Sequence, residues 1–214
     1  MRYIERLSKP SILEERADEW RSSFVDSDKK RPDHSKYAHR QVRDSLNAMS
    51  FRKCFYCERT LKGIPQEVDH FVEVAERKDL AYEWDNLYLA CDNCNNKQPN
   101  RSIPVNKVLD PCQHSDEEIQ QHLTFESEII RSKHDSEMGR RTSQKYRLDT
   151  DQLDLLRLRE IKRFYEVLTR INKNIQVEKR GMSNQEREVL LSFQQRDRPF
   201  SLMFSNLLKS HNLL

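Results

Sequence analysis

The sequence predicts an α+β chain, mostly helical, arranged around a compact middle bounded by cysteines. Three observations carry this reading. Only 3 glycines occur in 214 residues, and the charged segments carry apolar residues at helical spacing. Ser-x-x-Glu signatures, which cap helix N-termini, open three of the segments. Two Cys-x-x-C pairs, at 54–57 and 91–94, frame residues 51–98.

The elements follow in order. Ser11 and Glu14 stand in capping-box spacing, and Ile12, Leu13, Ala17, Trp20 and Phe24 follow at helical spacing, so 11–25 is predicted as a helix. After the polar loop DSDKKRPD, residues 35–50 repeat the pattern through Ala38, Val42, Leu46 and Met49. These two helices are expected to pack on the cysteine region. Beyond Pro99 a loop runs to Gln113, and Ser115 with Glu118 forms a second capping box. LTFESEII (123–130) reads as a strand, and the polar surroundings of Gly139 read as a loop. The longest helical signal covers 148–175. Its stripe is Leu153, Leu156, Ile161, Phe164, Leu168 and Ile171, with Arg157, Arg159, Lys162, Arg163 and Arg170 interspersed. Ser183 and Glu186 make the third capping box, and the tail from Pro199 is apolar enough to dock on the body or on a partner. The organisation expected is an N-terminal helical region (1–50), a core (51–110) and a mainly helical extension (111–214).

Composition bounds the function. Charged residues make up 34% and hydrophobic ones 36%, enough for a modest core under a polar surface. The net charge of +3, from 38 basic and 35 acidic groups, does not select a partner; a nucleic-acid binder needs a local basic face. No apolar run approaches the roughly 20 residues that span a bilayer, and the first 20 residues lack the apolar centre of a signal peptide. A cytoplasmic location is therefore expected, and with it reduced thiols. Five cysteines arranged as two close pairs and a singleton then argue for metal rather than disulfides.

Cys54, Cys57, Cys91 and Cys94 have the spacing of two metal knuckles. Each turn offers two thiolates, and together they complete the tetrahedron of a structural zinc site. A redox dithiol would not account for both pairs having the same spacing. Four thiolates leave no open position for substrate, so such a zinc holds the fold and the chemistry must come from elsewhere. Cys112 is read as a small residue without function. Between the knuckles lie Asp69-His70 and then Trp84, Asn86 and Leu87; Asn95 follows the last cysteine directly.

The run CFYC…VDHF…EWDNLYLACDNCNNK, residues 54–97, resembles the HNH endonucleases, whose fold is the zinc-stapled ββα-metal unit. That resemblance implies roles. His70 matches the general base that takes a proton from water. Asp69 matches a carboxylate ligand of a catalytic divalent ion, Mg2+ or Mn2+, and Asn95 its last ligand. Asn86 matches the middle asparagine that braces the loop and orients the base. Oxygen donors suit a hard cation, and an imidazole titrating near neutrality suits the activation of water. HNH sequences often carry Lys three places after the final His or Asn. Here Gln98 holds that place and Lys97 comes one earlier, which sets Lys97 aside as a phosphate contact. Glu73, Glu76 and Glu83 are read as solvated charges.

The flanks narrow the resemblance. MRYIERLSKPSIL, the helix leading into CFYCERTL, DLAYEWDNLYLACDNCN and LDPCQHSDEE look like the PtuB nuclease subunits of Septu anti-phage systems, which also occur with retrons. The resemblance covers the chain to about residue 126. It implies a partner, a PtuA-like ATPase of the ABC/SMC kind. In retron versions a reverse transcriptase with its RNA–DNA hybrid is implied as well. DNA is the favoured substrate. The competing readings are an RNA-cleaving toxin acting through the same site, for example on tRNA, and a zinc-stabilised nucleic-acid-binding module without catalysis. The helix at 151–175 and the apolar tail are the candidate docking surfaces.

Overall fold

A computed structural model describes residues 1–213. Helix α1 (Ser11–Val25) buries Leu13, Ala17, Trp20 and Phe24, one face at spacings of three and four. Its N-cap is Pro10, in extended conformation, with no side-chain cap. The capping box expected from Ser11 and Glu14 is therefore not formed. The Pro10 carbonyl already accepts from Leu13 and Glu14, which places Ser11 inside the helix, where its hydroxyl donates to Gln41 instead. The helix expected over 35–50 is two helices, α2 (His34–Tyr37) and α3 (Arg40–Ser50). The chain breaks at Ala38–His39 because each helix has its own cap: the Asp33 carboxylate accepts from Ser35 N, and His39 Nδ1 accepts from Gln41 N.

Strand β1 (Glu67–His70) pairs antiparallel with β2 (Leu87–Ala90), with Asp69 opposite Tyr88 and His70 opposite Leu87. Cys91 follows β2 directly and is the N-cap of α4 (Asp92–Asn95). Two strands and one short helix thus follow the first knuckle, in the order that the resemblance implies.

After α5 (Asp116–His122), with the Ser115–Glu118 capping box in place, the expected strand is a hairpin, β3 (Leu123–Glu126) and β4 (Ile129–Ser132), turning at Ser127 with positive φ. The loop expected around Gly139 is instead helix α6 (Glu137–Tyr146). Glycine is used there for close approach, not flexibility: a Cβ at this position would lie 2.1 Å from the His122 carbonyl oxygen. The Ser136 hydroxyl caps the helix by accepting from Gly139 N.

Helix α7 (Asp151–Glu178) runs 28 residues, about 42 Å at 1.5 Å per residue. It buries Leu153, Ile161, Phe164 and Ile171 of the expected stripe; Leu156 and Leu168 are half-buried. Arg157, interspersed in that stripe, is 1% exposed and donates to Asp154 and to the Leu148 carbonyl. Helix α8 (Asn184–Leu191) keeps its Ser183–Glu186 capping box, and α9 (Ser201–Ser210) ends the described chain.

One apolar cluster joins α1, α3, both knuckles, β1 and β2, the β3–β4 hairpin and the start of α7. A second is built from Ile161, Phe164 and Ile171 of α7 with Leu190, Phe200, Met203, Phe204 and Leu208. The apolar tail therefore packs on the body of the protein. Among the described residues no helix is long and apolar enough to cross a membrane.

Candidate active site and metal centre

Cys54, Cys57, Cys91 and Cys94 are all buried, and their sulfurs lie within 4.8 Å of one another. Cys57 Sγ and Cys91 Sγ are 3.7 Å apart. Four ligands at about 2.3 Å from a tetrahedral zinc have sulfur–sulfur edges of about 3.8 Å, whereas a disulfide would need about 2.05 Å. The cysteines are free thiols. Their spacing fits a zinc ion, and these four residues would hold it. Local structure sets the cage. In the first knuckle Glu58 N donates to the Cys54 carbonyl, and Glu58 takes a left-handed φ of 63° to turn the chain. In the second, Asn95 N donates to the Cys91 carbonyl at 2.8 Å. Phe55 N donates to the Leu89 carbonyl at 2.9 Å, which ties the first knuckle to β2. Burial pushes the thiols of Cys57 and Cys94 up, while hydrogen bonds from the neighbouring cysteines push that of Cys91 down. Cys112 stands apart from the cluster, and burial pushes its thiol up to about 12.

His70 is held at the end of β1. Its Nε2 lies 2.8 Å from the Ala81 carbonyl oxygen. A carbonyl can only accept, so in the neutral ring Nε2 carries the proton and Nδ1 keeps the lone pair. The ring packs on Tyr37 at an interplanar angle of 56°, with centroids 4.6 Å apart. Burial pushes the imidazole pKa below its ordinary value; the Ala81 bond and Asp69 oppose this shift, and Lys97 adds to it.

Asn86 braces the loop between the strands. Its Oδ1 accepts from Val72 N at 2.7 Å, and its Nδ2 donates to the carbonyls of Val72 and Leu80, both at 3.1 Å. One amide thus ties the start of the 72–80 loop to its end. Ala81, which holds His70, follows Leu80 directly.

Asp69 is buried, and its Oδ2 accepts from the Tyr56 hydroxyl at 2.6 Å and from Lys97 Nζ at 2.7 Å. Lys97 Nζ also donates to the carbonyls of His70, at 2.5 Å, and Phe71, at 3.2 Å. Burial pushes the Tyr56 hydroxyl well up, so it remains a donor. Asp69 Oδ1 has no protein donor among the described residues. Asn95 is exposed at the end of α4, two residues before the lysine that reaches Asp69.

The structure therefore brings Asp69, His70 and the end of α4 together and puts Asn86 behind them as a brace. The resemblance did not indicate Tyr56 or Tyr37, and it set Lys97 aside. A tyrosine inside the first Cys-x-x-C was the available signal for Tyr56. Nothing in the local sequence marks Tyr37. Glu73, Glu76 and Glu83, expected to be solvated, tie loops: Glu73 accepts from Asn100 N at 2.6 Å, Glu76 from the Asn100 side chain, and Glu83 from Arg21 at 2.6 Å. Lys145, fully buried, donates to the carbonyls of Gln98 and Ile103 and so holds the loop after α4.

Residues 54–101 match the family model of the HNH endonucleases. The chain is also 25% identical, over 146 aligned positions, to the Septu protein PtuB of Bacillus mycoides (strain KBAB4). That alignment covers 55% of this chain and 50% of the relative, so the chain spans about half the length of the curated relative it matches. The cysteine cage, the antiparallel strand pair and the short helix all fall within the matched residues, so residues 54–101 carry a domain similar to the HNH endonucleases.

Proposed function

We propose that this protein hydrolyses phosphodiester bonds of nucleic acid, DNA in the first instance. The observation that carries the reading is the His70–Ala81 hydrogen bond, which leaves Nδ1 unprotonated on the residue that follows the buried Asp69 in β1. In this reading Nδ1 takes the proton from the attacking water. Asn86 holds the 72–80 loop, and through it the Ala81 carbonyl that orients the ring. Asp69 Oδ1 and the Asn95 amide oxygen are hard donors of the kind that suit Mg2+ or Mn2+. Such an ion, when bound, would stabilise charge on the phosphate and on the leaving oxygen. Tyr56 and Lys97 hold the other oxygen of Asp69, which leaves Oδ1 as the oxygen without a protein donor among the described residues. The four cysteines take no part in the reaction.

Similarity to PtuB supports a further reading: the chain is the nuclease subunit of an anti-phage assembly with a PtuA-like ATPase, acting in the cytoplasm, where the thiols stay reduced. The tail is packed internally, so the docking face falls to the outer side of α7, where Leu155, Leu158, Tyr165 and Val177 are exposed.

The test is a magnesium-dependent nicking assay comparing the zinc-loaded wild type with His70→Ala, alone and with the ATPase. Cleavage that disappears in the variant, with zinc content unchanged, is the expected result. Equal cleavage by both proteins, or none by either in the assembled complex, would replace it with a non-catalytic binding module.

A further inference from the structure

The family model begins at Cys54, yet the wall of the site beside His70 comes from upstream. Helix α2 sets the Tyr37 ring against His70, and the His34 ring meets Tyr37 edge-on at 5.2 Å. These rings form a ladder from the exposed His34 to the imidazole. The chain entering α2 reads Lys29-Lys30-Arg31, and all three residues are exposed. Over 26–36 four cations, these three and Lys36, stand with three carboxylates, Asp26, Asp28 and Asp33, of which Asp33 is engaged by Ser35 N and Oγ. Among the described residues none of Lys29, Lys30 or Arg31 has a carboxylate within ion-pair distance. Other cations of this region are occupied: Arg40 pairs with Asp44, Arg77 with Asp79, and Lys78 donates to the Ser27 carbonyl.

A solvated charge run would be free to move away from the site. This one is fixed at both ends. Lys78 binds the Ser27 carbonyl at 2.9 Å, and Asp33 N donates to the Tyr82 hydroxyl at 3.3 Å. Burial and then Glu67 push the Tyr37 hydroxyl pKa up, and the Arg31 guanidinium opposes them, so its charge lies near the ring that touches His70. Cations held together on a pinned, exposed segment set up a local positive potential that attracts an anion. A polyanion with regularly spaced phosphates fits a linear triplet of exposed cations.

We propose that Lys29, Lys30 and Arg31, carried on the pinned segment before α2, are a phosphate-binding wall. It guides the backbone of the nucleic-acid substrate past His70, while Tyr37 fixes the plane of the imidazole from the same segment. The inference rests on the nuclease reading above. It adds a substrate contact outside the HNH domain, and it assigns Tyr37 as a positioning residue.

The test uses the full chain loaded with zinc and fluorescein-labelled 20-mers of duplex DNA, single-stranded DNA and single-stranded RNA. Binding is measured by anisotropy across salt concentrations without magnesium, and cleavage is measured separately with it. Lys30→Ala/Arg31→Ala should make the slope of log K against log salt shallower by about 2, near one unit for each phosphate no longer neutralised. It should raise KM and leave kcat nearly unchanged. The control Arg170→Ala/Lys173→Ala, on the distant part of α7, should leave the slope as in wild type. Tyr37→Leu should lower kcat and leave the slope unchanged. The arm in which the slope falls identifies the polymer. An unmoved slope and KM in the Lys30/Arg31 variant, with wild type cleaving, overturns the wall and leaves the nuclease reading standing. A shallower slope with no cleavage by wild type supports the wall and removes the nuclease reading. No measurable binding by wild type in any arm overturns the wall.

Discussion

His70 Nε2 lies 2.8 Å from the Ala81 carbonyl oxygen, and this single contact decides which nitrogen of the ring can accept a proton. The acceptor is a backbone atom at the far end of the 72–80 loop, so the state of the imidazole depends on how that loop is held. Asn86 holds it through Val72 and Leu80.

The pH dependence follows from burial. The His70 pKa is pushed below the ordinary value of about 6.5, so the neutral, proton-accepting ring persists to lower pH than for a solvated histidine. A bound divalent cation would push in the same direction. The acid limb of kcat/KM against pH should lie below 6.5, and a limb at or above that value would show that His70 is not buried as described. His70→Ala should lower kcat by a factor of about 10²–10⁴, the usual contribution of a positioned base.

Asn86→Asp should behave as a damaging change despite its size. The acceptor to Val72 N is kept, but both donors are lost and a carboxylate oxygen is set against the carbonyls of Val72 and Leu80. A cost of about 2 kcal/mol or more is expected from the unpaired buried groups. Urea unfolding gives the cost, and hydrogen exchange at residues 72–81 should rise before exchange in β1 and β2 does. Uniform protection in both segments would contradict the brace.

Lys97→Met leaves the Asp69 carboxylate buried without its cation. Both side chains are nearly inaccessible, at 4% and 7%, and removing one partner of a buried pair costs about 3–5 kcal/mol. Millimolar magnesium should raise the Tm of this variant more than that of wild type, because a divalent ion at Oδ1 would restore positive charge beside the carboxylate. Equal shifts in the two proteins would argue against a cation at Asp69.

Tyr56→Phe removes only the hydroxyl that donates to Asp69 at 2.6 Å and keeps the ring stacked on Tyr146. Loss of a hydrogen bond to a charged group should cost about 1.5–3 kcal/mol. The urea midpoint should fall with the m value unchanged. A midpoint equal to wild type would mean that the hydroxyl does not hold the carboxylate.

Zinc content is the check on the cage. Elemental analysis should find one zinc per chain, and Cys91→Ser should lose it. Because residues 54–94 fold around these thiolates, stripping the metal should expose the Tyr56 and Phe55 rings and abolish cooperative unfolding of the core. A metal-free protein with an unchanged melting curve would exclude a structural role for the cysteines.

Local signals in the sequence determined most of the helices, and the two Cys-x-x-C pairs with Asp69, His70, Asn86 and Asn95 between and after them determined the resemblance to the HNH endonucleases. Helix caps and thiolate spacing are short-range properties, legible within a few residues: Ser115 with Glu118, and Ser183 with Glu186, form the boxes that their spacing implied. Where a short-range signal met a long-range contact, the contact prevailed. Gly139 reads as a loop residue, but it lies in a helix because α6 must pass within touching distance of the His122 carbonyl. Arg157 is a charged residue within an apolar stripe, and carbonyls and Asp154 satisfy most of its guanidinium inside the fold. At the site, only tertiary structure placed Tyr37 on His70, Lys97 and Tyr56 on one oxygen of Asp69, and the Ala81 carbonyl on Nε2. Those partners lie 11 to 33 residues from the groups they touch, and which nitrogen of a ring or which oxygen of a carboxylate stays free depends on where such distant groups settle when the chain packs.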